Sequence, residues 1–397
     1  MRIPSLLAAL FVIPACATAW AGAHPSADEA QHAATQAGAW DKAAAAKYLD
    51  DRQTWWAEWP HAQKDHGTMC VSCHTQVPYA LARPLLRGPL GEKAISDPER
   101  AMLDSIEKRV ELGKEAETFY SDKANGAGKT QEARNAEAVN NALILAVYDA
   151  QRSKADAAAG VVNRTVPKLH KDSLQAFAAM WALQEQTGPK AGAWIWQNFK
   201  FSPWEAPESE YWGATMAAIA AGTAPDNYAA APEAQQPLAL LRAYLHREAP
   251  KQPLINRIHL LWASARLSGL MTKQERAALV KELYAKQRAD GGWCLTDLGV
   301  AEDGSVAWKR RDKTPFPAAS DGYATGLIAL ALEENHMGGK TQVKRAVAWL
   351  ENNQSKADGR WQAWSVNVER KPESDVGKFM SDAATGFSVL ALEESKR

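Results

Sequence analysis

Residues 70 to 74 read Cys70-Val71-Ser72-Cys73-His74. Two thiols three residues apart near a helix start can bond both vinyl carbons of one haem. The imidazole that follows the second thiol then points at the iron. Zinc would want a second Cys or His pair at metal spacing, and none is clear. A redox dithiol would want a βαβ frame, and none is present. The pentapeptide therefore predicts one covalent haem c on Cys70 and Cys73, with His74 as iron ligand. For the sixth iron position the sequence offers His61, His66, Met69, Met102 and Met380, or a vacant site. A Met or His ligand favours electron transfer, whereas open iron binds small molecules.

The rest of the chain agrees with such a group. Arg2, an apolar stretch over residues 6 to 13, and the small-residue sites Ala19-Trp20-Ala21 and Ala21-Gly22-Ala23 read as a signal peptide over residues 1–23. Ile13-Pro14-Ala15-Cys16 offers a competing lipoprotein signal, with Cys16 as the lipidated residue. Covalent haem attachment occurs outside the bacterial cytoplasm, so a periplasmic or otherwise extracytoplasmic address is expected. No later segment is long and apolar enough for a transmembrane span. The 46 basic and 46 acidic residues balance, which leaves no electrostatic footprint for nucleic acid. After cleavage Cys70, Cys73 and Cys294 remain, an odd count that argues against a disulfide framework.

The elements that position the motif are repeats. Residues 279 to 334 read "LVKELYAKQRADGGWCL", a loop, then "SDGYATGLIALALEE"; residues 346 to 394 read "AVAWLENNQSKADGRWQAW", a loop, then "SDAATGFSVLALEE". Each unit is a helix with one charged side, a Gln, an Asp-Gly turn, a Trp, and a second helix apolar nearly all round. The first helix should face water and the second should be buried. Asp321 and Asp382 stand where a carboxylate meets free N–H groups at the start of the second helix, which predicts caps. Looser copies, such as "AFAAMWALQEQTGPKAGAWIWQ" followed by "SEYWGATMAAIAAG", bring the number of helix pairs to six between about residues 40 and 397. The expected fold is all-α, an (α/α)6 barrel in one domain over residues 24–397. An open solenoid would need polar terminal caps, and "AATGFSVLALEE" is too apolar for one.

Gln287 through Asp290-Gly291-Gly292-Trp293, and Gln354 through Asp358-Gly359-Arg360-Trp361, resemble the QW repeats of squalene–hopene cyclases. The wider superfamily, with the prenyltransferase β-subunits, shares an α/α toroid. The resemblance covers residues 270 to 397 most clearly. It implies that the Gln amide packs on the Trp ring and ties helix ends together, and that an apolar or terpenoid-like ligand would suit a cavity. The chain departs from that family where the family's chemistry lies. It has no Asp-x-Asp-Asp acid motif, since Asp50-Asp51 lacks the first Asp, and no Asp-x-Cys pair to make Cys294 a zinc ligand.

Cys73-His74 occupies the place in the first repeat that Ser320-Asp321 and Ser381-Asp382 occupy later, so the haem lies within a repeat, at one mouth of the barrel. Other second-helix starts should face that mouth. They supply Glu137 with Asn140 and Asn141, Trp212, His259, Asp321 with Tyr323, and Asp382. Glu137, Asn141, Trp212, Asp321, Tyr323 and Asp382 are the cavity candidates. Two functions fit: a haem-dependent oxidoreductase or binding protein for a small apolar ligand, and a c-type cytochrome passing electrons to a redox partner protein. A cyclase-like enzyme without the acid and zinc motifs is a third.

Overall fold

The computed structural model describes residues 40–158 and 169–396. The expected signal peptide and Cys16 lie outside the described residues. The chain from residue 39 onward forms one compact unit. Among the described residues are twelve helices of twelve or more residues: α1 (Lys42–Glu58), α2 (Gln76–Leu90), α3 (Asp97–Leu112), α4 (Lys129–Ala158), α5 (Lys171–Ala182), α6 (Ser209–Thr223), α7 (Pro232–Glu248), α8 (Leu254–Arg266), α9 (Lys273–Lys286), α10 (Gly322–Glu334), α11 (Thr341–Asn352) and α12 (Phe379–Glu394). The fold is all-α. A two-residue antiparallel hairpin, β1 (Gln63–Lys64) with β2 (Thr68–Met69), leads into Cys70.

Burial alternates along the chain. In α10, twelve of thirteen residues are buried, whereas α9 buries three of fourteen, so these two neighbours have opposite solvent roles. Ala, Gly and Leu on α10 leave no polar side to present over "ATGLIALAL". The even helices pack in chain order, α2 on α4, α4 on α6, α6 on α8, α8 on α10 and α10 on α12, and α12 packs back on α2. Each odd helix packs against at least one even helix. Two glycines permit close approaches between even helices. A Cβ on Gly326 of α10 would lie 2.7 Å from the Ser388 backbone nitrogen of α12. A Cβ on Gly386 of α12 would lie 2.5 Å from the Pro78 Cβ of α2.

Conserved chemistry of the repeat shows in its hydrogen bonds. The Gln287 amide donates to the carbonyls of Gly291 at 2.8 Å and Gln342 at 2.7 Å, joining the end of α9 to the start of α11. Gln184 does the same between its own turn and α7, donating to Gly192 and Pro237. Gln354 joins the end of α11 to the start of α1: it donates to the Asp41 carbonyl at 2.8 Å and accepts from the Asp41 N–H at 2.6 Å. The three tryptophans of these turns, Trp194, Trp293 and Trp361, are buried. Each donates its indole N–H to a backbone carbonyl of the preceding odd helix or its last turn, at Met180, Leu283 and Leu350 respectively. The third Gln–Trp turn, at 184–194, is looser in sequence because seven residues separate Gln184 from Gly192.

The two expected helix caps part company. Asp321 caps α10, accepting from the Ala324 N–H at 2.9 Å and the Leu295 N–H at 2.5 Å. Asp382 is no cap: it sits one turn inside α12, and its carboxylate accepts from the side chains of Tyr48, Arg52 and Thr75. Asp50, on α1, is tied by the Tyr79 hydroxyl and the Arg83 guanidinium of α2, so it holds two helices together.

Candidate functional site

Cys70, Cys73 and His74 lie in the turn between β2 and α2 and line a cavity with about 1210 Å³ of non-atom space, its open mouth included. The walls come from the starts of α4 and α12, the end of α1, and the segments before α6 and α12. They are largely aromatic: Trp56, Trp59, Phe119, Tyr120, Phe201, Trp204 and Phe379.

The turn is held by its own polar residues. The Ser72 hydroxyl accepts from the N–H groups of Thr75 and Gln76, and the Gln76 side chain accepts from the Ser72 N–H at 3.1 Å. The Trp56 indole donates to the Cys70 carbonyl at 2.7 Å. These bonds fix both thiols at the same wall. Burial pushes the thiols of Cys70 and Cys73 up to about 12, so at neutral pH each is a protonated thiol. Asn140 of α4 donates to the Cys73 sulfur at 3.5 Å.

His74 stacks on Phe379 with ring centroids 3.8 Å apart and meets Trp56 edge-on at 5.3 Å. Burial, and then the nearby Arg52 charge, lower its pKa to about 3, so the imidazole is neutral. Its Nδ1 lies 2.9 Å from the Thr75 hydroxyl oxygen. That hydroxyl donates to Asp382 at 2.7 Å, so its lone pair must take a proton from Nδ1–H. The ring is thus held as the tautomer whose Nε2 carries the lone pair. A neutral His with one nitrogen anchored is the arrangement of a metal ligand. Cys70, Cys73 and His74 are the residues that could hold a haem.

Of the other sequence candidates, Glu137 and Met380 line this cavity, as does Asn140. Glu137 is gripped by Arg109, whose Nε and Nη2 donate at 2.5 and 2.8 Å. Asn141, Trp212, Asp321, Tyr323 and Asp382 are buried but are not on its wall. Trp212 donates to His259 Nε2 at 3.2 Å in the core. Asp321 is the α10 cap, and Asp382 lies behind His74, one hydroxyl removed. Tyr323 sits in the interior between Trp204 and Phe387. Among the iron-ligand candidates, Met102 is buried in the core on α3. The Met69 sulfur accepts from Gln53 at 3.6 Å. His61 is exposed against Trp59, and His66 is exposed beside Asp65.

Sequence reasoning missed Thr75, Phe379, Trp204 and Glu205. Thr75 was adjacent to the motif, and its partner Asp382 is 307 residues away. Glu205 lines the cavity and accepts from Tyr120 at 2.8 Å; burial raises its pKa.

Behind the cavity the interior is aromatic. Ring contacts run from His74 to Trp204 at 5.7 Å, to Tyr323 at 5.9 Å, to Phe387 at 5.2 Å, and to Trp262 at 6.0 Å. Phe387 of α12 reaches α8, two even helices away, and so crosses the interior. Trp262 lines a second cavity of about 570 Å³, built by residues of all six even helices near their C-terminal ends. Cys294 is buried with its sulfur 3.1 Å from the Thr296 hydroxyl oxygen. Glu107, His170 and Asp172 bring ligand atoms within 4.8 Å of one another, with His170 Nδ1 2.8 Å from an Asp172 carboxylate oxygen. No helix among the described residues is long and apolar enough to cross a membrane.

No protein-family model matches the chain, and no curated protein matches it.

Proposed function

We propose that this chain is an exported c-type haem protein whose haem is built into an (α/α)6 toroid. Thioethers from Cys70 and Cys73 would attach the group, and His74 Nε2 would ligate its iron. The observation that carries the reading is the His74 environment: a neutral imidazole, anchored through Nδ1, on the same cavity wall as two buried, protonated thiols three residues apart. The toroid is supported by the return of α12 onto α2 and by the Gln354 bridge to Asp41.

The haem would supply reversible one-electron chemistry at its iron. The protein's own residues do the rest. Phe379, Trp56 and Trp204 exclude water around His74, which raises the effect of every nearby charge. Arg109 holds the Glu137 carboxylate on the wall, and Tyr120 holds that of Glu205. The aromatic interior favours a redox protein that passes electrons to a partner. Phe387 packs against Tyr323 and His259 in the interior behind that cavity. A second reading, redox chemistry on a small molecule at the mouth, draws on the polar wall of Glu137, Asn140 and Glu205. Met380 is the further Met or His side chain on that wall among the described residues.

The two readings separate in one experiment. Protein matured in a periplasm should give a ferrous spectrum unchanged by carbon monoxide if the iron is closed for electron transfer. A shift on adding carbon monoxide supports the small-molecule reading, and a colourless protein refutes both.

A further inference from the structure

We propose that Thr75 and Asp382 are positioning residues that set the electron density on the His74 imidazole, and through it the haem reduction potential. The inference rests on the haem reading above and concerns how that site is tuned. Thr75 is the residue before α2, where its hydroxyl would ordinarily cap the helix; it makes no cap bond. The hydroxyl is turned instead between His74 Nδ1 at 2.9 Å and Asp382 Oδ2 at 2.7 Å. Thr75 and Asp382 are both at least 98 % buried.

The far end of the chain is anchored as firmly. Asp382 Oδ1 accepts from the Tyr48 hydroxyl at 2.8 Å and from Arg52 Nε at 2.8 Å. Arg52 is held in turn by the carboxylate and carbonyl of Asp375. Tyr48 and Arg52 of α1 and Thr75 before α2 therefore converge on one carboxylate of α12. Nothing in helix formation requires this, since Asp382 makes no cap and the repeat equivalent Asp321 has only backbone donors. What the arrangement does is polarise a hydroxyl toward a carboxylate, which strengthens that hydroxyl as an acceptor for Nδ1–H. An imidazole so engaged is a stronger donor through Nε2. A stronger donor stabilises ferric over ferrous iron and lowers the potential.

Thr75→Val removes the hydroxyl and keeps the shape. Loss of an outer-shell partner typically costs 10- to 100-fold in metal affinity or activity, and an effect of similar size is expected on the redox balance. The low end, about tenfold in the ferric-to-ferrous ratio, corresponds to a rise of ~59 mV for one electron. Thr75→Ser restores the hydroxyl and should restore the wild-type potential, which a purely structural role for the methyl would not allow. Thr75→Ala replaces Thr75→Val where the latter does not fold. Redox titrations of the haem-loaded proteins, with thermal melts alongside, read the result. A raised potential for Thr75→Val, reversed in Thr75→Ser, supports the inference. Equal potentials in haem-loaded wild type and Thr75→Val overturn it and leave the haem reading standing. A wild type that binds no haem overturns the haem reading itself, and the inference with it.

Discussion

Gln354→Ala tests whether the first and last repeats are locked together. The side chain is 4 % exposed and makes three hydrogen bonds: donated to the Asp41 and Gly359 carbonyls at 2.8 and 2.9 Å, and accepted from the Asp41 N–H at 2.6 Å. A neutral intramolecular bond contributes about 0.5–1.5 kcal/mol net, so removal of three should cost about 2–4 kcal/mol. Gln287→Ala is the internal standard, because it removes two bonds of the same kind between α9 and α11 and should cost about 1–3 kcal/mol. Urea unfolding followed by far-ultraviolet circular dichroism reads both. The expected outcome is a lower midpoint for each variant at unchanged slope, with Gln354→Ala at least as low as Gln287→Ala. A Gln354→Ala midpoint equal to wild type, with Gln287→Ala lowered, would refute closure through Asp41: the chain would then behave as an open array with frayed ends.

Trp361→Ala should cost roughly 3–5 kcal/mol, since the ring is fully buried. Asp358→Ala should cost about 1 kcal/mol or less in the same urea series, because its pair with Arg360 is partly exposed and Arg360 keeps Glu373. Glu333 is buried, with no hydrogen-bond partner for either oxygen among the described residues, and burial followed by the charges of Glu394 and Glu334 raises its pKa to about 8. Its proton is retained in the fold where the unfolded carboxylate has lost it. The stability it contributes is therefore full below about pH 4.5 and is lost as pH rises to about 8, a change on the order of 3–5 kcal/mol. Glu333→Gln should flatten that slope in thermal melts from pH 5 to 9, and an unchanged slope would place the titration elsewhere. Cys70→Ser with Cys73→Ser should keep the helical circular dichroism of the wild type while losing haem; loss of cooperative unfolding would make the haem part of the core.

The repeat unit was legible because its constraints are local. Gln287, Gly291 and Trp293 sit within seven residues and close one turn, and the apolar run of α10 leaves burial as its only option. The turn carrying Cys70, Cys73 and His74 was legible for the same reason, and its three residues share one wall. What failed was anything set by contacts between distant helices. Asp382 and Asp321 have the same neighbours in sequence, Ser before and a small residue after. One meets Arg52 and Tyr48 from α1 and the other meets only backbone, and no local pattern records that difference. Tyr323 was expected at the mouth because it follows a helix start, yet the 100° turn per residue carries it into the interior beside Phe387. Glu137 was placed on the correct wall, but its partner Arg109 lies on a different helix, 28 residues earlier.

Covalent attachment at residues 70 to 74 is the most direct test of the central claim. Protein exported from a host with haem-maturation machinery should be extracted with acid-acetone and digested, and the peptide carrying Cys70 and Cys73 analysed by mass spectrometry. The expected result is haem retained in the protein fraction and found on that peptide through both sulfurs, with neither cysteine open to alkylation after denaturation. Colour released into the organic phase, or both thiols alkylated freely, would contradict it.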